Sequence, residues 1–389
     1  MEKQQPTASR PCVEWVAGHI DDPVVRLRFL KMIAPSTAVA SPPRRRRLLR
    51  LSPLVLPVLL GSLFLVGALG RIEPVRPPVP PALPRVILER VSPEIWLVES
   101  TGEAETYSNG LRIDNHFSTR NHSRSYLAFP TGPASKIGGV GRTEPAGIVV
   151  HTTESRQAPF EAAQNGPLKR IGESLLEYVR RKRAYHFLID RFGRVYRIVA
   201  ESDAANHAGY SVWADEKWSY VNLNESFLGV SFETETSPGQ LDPAITPGQE
   251  RAAAMLTEML RGRYRIPAAN CVTHAQVSVN PSNMRIGYHT DWASSFPFER
   301  LGLPDNYVRP LPSLATFGFE YDPSFLHWAG SRLYAGVELA EDSLRAGAAR
   351  SGRAPNAFRR LLQKQYHERL AEVRRFSGDA AEAFEEAGK

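Results

Sequence analysis

Cysteine is almost absent from the sequence: Cys12 and Cys271 are the only two in 389 residues. A disulfide-stapled scaffold is thereby excluded, and an exported domain of this chain has to hold together by its own core or through a metal ion. Also missing is a surplus of basic charge on the part of the chain that would fold. Of 48 Lys/Arg and 41 Asp/Glu, residues 1–50 hold ten and four, which leaves 38 against 37 for the remainder. All but one unit of the formal charge of +7 therefore belongs to the N-terminal tail. A nucleic-acid binder needs its basic patch on the folded surface, so no nucleic-acid partner is expected. No internal repeat is present.

Long apolar runs are scarce too, and the main exception is informative. "RRRRLLR" (residues 44–50) leads directly into "LSPLVLPVLLGSLFLVGALG" (residues 51–70), twenty positions without a charge that end at Arg71. As a helix that run would extend about 30 Å, enough to cross a bilayer. It has no polar face, which argues against a buried core helix. With the arginines before it, the positive-inside bias predicts a single-pass anchor in the cytoplasmic membrane, with residues 1–50 in the cytoplasm and everything after Arg71 on the periplasmic side. The small residues Val66, Gly67 and Ala68 would also suit a signal peptidase, particularly if translation began at Met32, so cleavage stays open.

The rest of the chain divides by composition. Residues 71–84 contain "EPVRPPVPPALP", six prolines in twelve positions, a semi-rigid spacer. Residues 85–144 hold strand-like pieces and a polar stretch with His116 and His122, to which no chemistry can be assigned. Residues 145–300 alternate strand and helix signals. "GIVVH" and "FLGVSFE" read as strands buried on both faces, and "YHFLIDRFGRVYRIV" as two strands joined at Arg191-Phe192-Gly193. "LKRIGESLLEYVRRKR" spaces Ile171, Leu175, Tyr178 and Val179 as the stripe of an amphipathic helix. "TPGQERAAAMLTEMLRGRY" opens a second helix with Thr246 as N-cap, Pro247 at the first turn and Gln249 completing a capping box. Residues 301–389 end in two helical patterns, the last with Phe358, Leu361, Leu362, Leu370 and Val373 on one stripe. The expected fold class is α/β, a mixed central β-sheet flanked by helices and preceded by one transmembrane helix.

Within this frame, the chemistry-bearing residues cluster. The chain has ten histidines, yet "CVTHAQVSVNPSNMRIGYHTDW" places His274, His289 and Asp291 within eighteen residues. Such residues can be metal ligands, an acid–base pair or ordinary polar loop residues. His151 ends "GIVVH" and His274 ends "NCVTH". Residues at the ends of neighbouring strands in an α/β sheet face one crevice. Two histidines and a carboxylate meeting there would offer zinc three ligands and leave a fourth position open.

"GIVVHTTES", "AYHFLIDRFGRVYRIV", "NHAGYS", "NESFLGVSFE" and "CVTHAQVS", in this order, resemble the successive blocks of the zinc-dependent N-acetylmuramoyl-L-alanine amidases, the superfamily that includes the animal peptidoglycan recognition proteins. The resemblance covers residues 145–300. It implies Zn2+ as cofactor, with His151, His274 and Asp291 as ligands, and hydrolysis of the amide between N-acetylmuramic acid and L-alanine in peptidoglycan or muropeptides. It also implies that Tyr185 directs its hydroxyl at the metal-bound water or the substrate carbonyl and that His207 lines the substrate cleft.

Three departures from the family pattern stand out. The seventeen-residue spacing from His274 to Asp291 is longer than is usual there, so "NPSNMRIGY" reads as a lengthened loop. His289 falls where many members carry an oxyanion-stabilising lysine; it is a catalytic candidate, or the third ligand in place of Asp291. Ser231 occupies a position where some members carry the catalytic Glu, and is assigned to substrate binding. Glu233, two residues on and sharing its strand face, is the candidate base, unless it merely caps the sheet edge or meets an arginine. The alternative function is a membrane-anchored peptidoglycan receptor without hydrolysis.

Overall fold

A computed structural model describes residues 94–131, 138–155, 157–237 and 240–387. The basic tail (1–50), the anchor (51–70) and the spacer (71–84) lie outside the described residues. Among those described, no helix is long and apolar enough to cross a membrane.

The architecture is mixed α/β, a central sheet flanked by helices. Its strands are β1 (Leu97–Ser100), β2 (Ala104–Tyr107), β3 (Arg112–Asp114), β6 (Gly147–Thr152), β7 (Phe187–Ile189), β8 (Val195–Arg197), β11 (Phe227–Phe232) and β12 (Cys271–Thr273), in the spatial order β1-β2-β3-β8-β7-β11-β6-β12. The strands β7, β11, β6 and β12 run parallel, whereas β8 returns antiparallel to β7 through the turn that the sequence predicts at Arg191–Gly193. Every residue of β6 and β11 is buried, as their unbroken apolar runs require. A second, antiparallel sheet joins β4 (Tyr126–Pro130), β5 (Val140–Arg142), β9 (Val212–Ala214) and β10 (Trp218–Val221) in the order β5-β4-β10-β9.

The sheet does not stop at residue 145. Strands β1 to β3 build one edge of it, so residues 97–114 belong to the same framework as the site-bearing strands. Arg124, from the polar stretch, is fully buried and donates to the carbonyls of Glu201, Asp203, Glu225 and Phe227. Arg197 on β8 pairs with Glu201 at 2.8 Å, with Glu105 of β2 at 2.9 Å and with Asn115 at 2.6 Å.

Helix α1 (Asn165–Lys182) covers one face of the central sheet and α2 (Pro247–Tyr264) the other. In α1 the buried stripe is Leu168, Gly172, Leu176 and Val179, whereas Tyr178 is exposed, so the helix is rotated from the orientation expected for Ile171, Leu175, Tyr178 and Val179. The rotation brings Gly172 under Glu233, where an added Cβ would stand 3.6 Å from the carboxylate. Helix α2 starts as its sequence predicts, with the Thr246 side chain accepting from Gln249 N–H, the Gln249 side chain reaching back, and Pro247 in the first turn.

Helices α4 (Pro312–Ala315), α5 (Pro323–Arg350) and α6 (Pro355–Ala387) pack against the second sheet, with Leu314, Phe317, Leu333, Tyr366, Leu370 and Val373 in their shared core. That core also takes in Ala275, Val279, Ile286 and Ala293, so the C-terminal helices support the segment that carries His274 and Asp291.

Candidate metal centre

Register along the central strands decides what meets at their C-terminal ends. Ser231 of β11 pairs with His151 of β6, and on the other side Thr273 of β12 pairs with Val150. The strand β12 ends one residue before His274, which instead opens the short helix α3 (His274–Val277), with Thr273 as its N-cap residue and Gln276 Oε1 accepting the Thr273 N–H at 2.9 Å. His274 thereby turns toward His151, and their rings lie 4.4 Å apart.

The long spacing to Asp291 is taken up by a hairpin. Strands β13 (Val279–Asn280) and β14 (Arg285–Ile286) pair antiparallel and return the chain to its starting point. Beyond Asp291, Trp292 is completely buried, stacks edge-on against Phe232 and Phe296, and accepts at its carbonyl from the Tyr307 hydroxyl. The aromatic segment "WASSFPF" thus anchors the carboxylate in the main core.

His151, His274 and Asp291 are all buried, and one ligand atom from each lies within 4.8 Å of the others. Asp291 Oδ1 is 2.9 Å from His274 Nδ1, and Oδ2 is 3.5 Å from His151 Nδ1. Burial alone would raise the Asp291 carboxyl, but the attraction and hydrogen bonds of His274 and His151 prevail and hold it well below the usual carboxylate range. Burial, with His274 alongside, pushes the His151 imidazole down to about 4. An ionised carboxylate and a neutral imidazole are the states that bind a divalent metal. His274 Nε2 is buried and has no hydrogen-bond partner among the described residues, and the two-nitrogen, one-oxygen donor set fits zinc.

The remaining sequence candidates are placed around this group with differing fates. Tyr185 lies beside His151, ring centroids 5.1 Å apart, with burial and then the Asp291 charge raising its hydroxyl well above the ordinary phenol value. Its φ of 65° is unusual for a bulky residue, as are those of Glu154 (46°) and Trp292 (58°), which follow His151 and Asp291 closely in sequence. Ser231 is fully buried next to His151. His289 stacks on His274 with ring centroids 4.4 Å apart and 22° between planes; the three-residue ligand group contains Asp291 and not His289.

Two further candidates have other partners. Glu233 shares the face of Ser231, but its carboxylate leans over Gly172 of α1 and accepts the Arg191 N–H at 3.1 Å, because the rotation of α1 leaves room for it there. His207, expected to line the cleft, puts Nδ1 3.1 Å from His151 Nε2 and Nε2 3.2 Å from the Phe227 carbonyl. Burial first, then the neighbouring His151 and His186, lower its pKa well below the ordinary value.

Several supporting residues carry no motif of their own. Asn224 Oδ1 accepts the N–H groups of His207, Ala208 and Gly209 at 2.7–2.8 Å. Glu154 Oε1 accepts from the Thr152 hydroxyl at 2.6 Å and the Thr236 N–H at 3.2 Å, tying the loop after β6 to the loop after β11. His186 Nδ1 accepts the Gly229 N–H at 2.9 Å. The polar loops around these residues look like any solvated turn in sequence; "NES" after "NHAGYS" is the one faint signal.

Comparison with known proteins agrees with the site. The family model described as N-acetylmuramoyl-L-alanine amidase matches residues 141–291, a span that holds His151, His274 and Asp291. No curated protein sequence matches. Similar solved structures include the amidase LysC from Clostridium intestinale URNW (22% identity over 41% of this chain and 83% of that one, TM-score 0.26). Another is AmpDh3 from Pseudomonas aeruginosa in complex with anhydromuramic pentapeptide (21%, 57% and 72%, 0.31). A third is AmiD from E. coli with its substrate anhydro-N-acetylmuramic acid-L-Ala-D-gamma-Glu-L-Lys (17%, 63% and 98%, 0.33). Residues 141–291, less than half of the chain, thus carry the match to the N-acetylmuramoyl-L-alanine amidase family model.

Proposed function

We propose that the chain is a zinc-dependent hydrolase of the amide joining N-acetylmuramic acid to L-alanine in peptidoglycan or muropeptides. The observation that carries this reading is the convergence of His151, His274 and Asp291, buried, within 4.8 Å, inside the segment that matches the amidase family. A zinc ion bound there supplies Lewis acidity and activates water at neutral pH. The protein's own share is orientation and charge. Asp291 and His151 are held in their binding protonation states. Tyr185, whose raised pKa keeps its proton at neutral pH, donates a hydrogen bond to the carbonyl oxygen as negative charge builds there. His289, stacked on His274, is the second group for that oxyanion and for the departing amine. Ser231 forms the floor beside His151.

The same reading places the enzyme on the cytoplasmic membrane. Residues 51–70 serve as the anchor and 71–84 as the spacer, which would present the catalytic domain to the cell wall on the periplasmic side. Membrane fractionation of the full chain against residues 72–389 tests that part separately.

The reaction is tested by digesting purified peptidoglycan with the protein and identifying the newly exposed group by mass spectrometry. Free L-alanine amino termini, lost on chelation and restored by zinc, are expected. New reducing sugar ends or cut cross-links would refute the proposal, and binding without any cut would favour the receptor.

A further inference from the structure

With a metal on the Asp291 side of His151, the hydrogen bonds behind that ring have one consistent direction. The Phe227 carbonyl can only accept, so His207 Nε2, 3.2 Å away, carries a proton and donates it. In the neutral ring the other nitrogen, Nδ1, is then a lone pair. His151 Nε2 lies 3.1 Å from that lone pair and must donate to it. His151 Nδ1 is the nitrogen that faces Asp291, and with a metal between them it is the lone pair left to bind it.

The surroundings hold this relay in place from three sides. Asn224 fixes the backbone of residues 207–209. Gly229 leaves space for the ring, since a Cβ there would stand 2.6 Å from His207 Cγ. The buried Arg124 donates to the Phe227 carbonyl at 3.3 Å and to that of Glu225, clamping the acceptor at the far end.

We infer that His207 is a positioning residue: with the Phe227 carbonyl it sets the tautomer and ring orientation of His151, so that Nδ1 and not Nε2 is presented to the metal. The inference rests on the zinc-site reading above. Partners at the distal nitrogen of a ligating histidine tune metal affinity, and their loss costs roughly 10- to 100-fold.

Chelator competition on the full chain gives the first test. His207→Ala is expected to weaken zinc binding roughly 10- to 100-fold, and His207→Asn, whose Oδ1 takes the place of Nδ1, to recover most of that loss. Wild-type zinc affinity in His207→Ala together with a raised KM would overturn the inference in favour of a substrate contact. A second measurement needs no variant. In zinc-loaded protein labelled with 15N-histidine, His151 is expected to carry its proton on Nε2 and the metal on Nδ1; zinc on Nε2 would overturn the relay. A wild-type protein that takes up no zinc would refute the metal reading itself.

Discussion

His274 Nδ1 and Asp291 Oδ1 stand 2.9 Å apart although seventeen positions separate them in the chain. The β13–β14 hairpin closes that gap, and Gly287 directs its exit. The φ of Gly287 is +82°, and a Cβ there would come within 2.3 Å of the Phe325 ring. Gly287→Ala is therefore predicted to cost about 1–3 kcal/mol and to weaken zinc binding by displacing Asp291. Urea unfolding and chelator competition check it; an unchanged affinity would mean that the hairpin does not position the carboxylate.

Tyr185→Phe removes one hydroxyl beside His151 and leaves the ring packing intact. Turnover is predicted to fall about 100-fold, with zinc content unaltered. Steady-state kinetics with parallel metal analysis separates the two effects, and loss of zinc would move Tyr185 to a structural role.

The Glu233 carboxyl is pushed up to about 7, first by burial, while the Arg191 N–H bond pulls the other way. A carboxyl raised from its ordinary 4.5 contributes stability in full below about 4.5 and loses it as pH rises through about 7. Glu233→Gln keeps an acceptor for Arg191 and cannot ionise, so its stability should fall less over that window, with zinc retained and turnover little changed. Denaturant midpoints at about pH 5 and about pH 8 compare the two proteins. Identical pH dependence would contradict the burial argument, and abolished turnover with zinc in place would restore Glu233 as the base.

Arg124 satisfies four carbonyls in the interior. Arg124→Ala is predicted to cost on the order of 3 kcal/mol, read as a lower denaturant midpoint at constant slope. A fragment starting at residue 145 would lose Arg124, Glu105 and Asn115 together, so it is predicted not to fold, whereas the chain from residue 94 should.

Much of the site was legible because metal chemistry and buried parallel strands leave strong marks. "GIVVH" could only be a strand covered on both faces, which put His151 at its end, and the capping box of α2 named its own first residue. The edge strand β1 was legible as the strand-like "EIWLVES", but its place was not: all four of its residues are exposed, so no alternation ties it to the central sheet. Arg124 sits in "NHSRSY", where nothing in composition separates a fully buried arginine from a solvated one. The role of His207 depends on which nitrogen faces which neighbour, and no spacing in the sequence encodes that.

Metal content of the purified chain is the most direct measurement. One zinc per molecule is predicted for the wild type, with none in His274→Ala or Asp291→Ala and no hydrolysis by either. A wild type without zinc that still releases L-alanine amino termini, or an Asp291→Ala protein with zinc in full, would contradict the account.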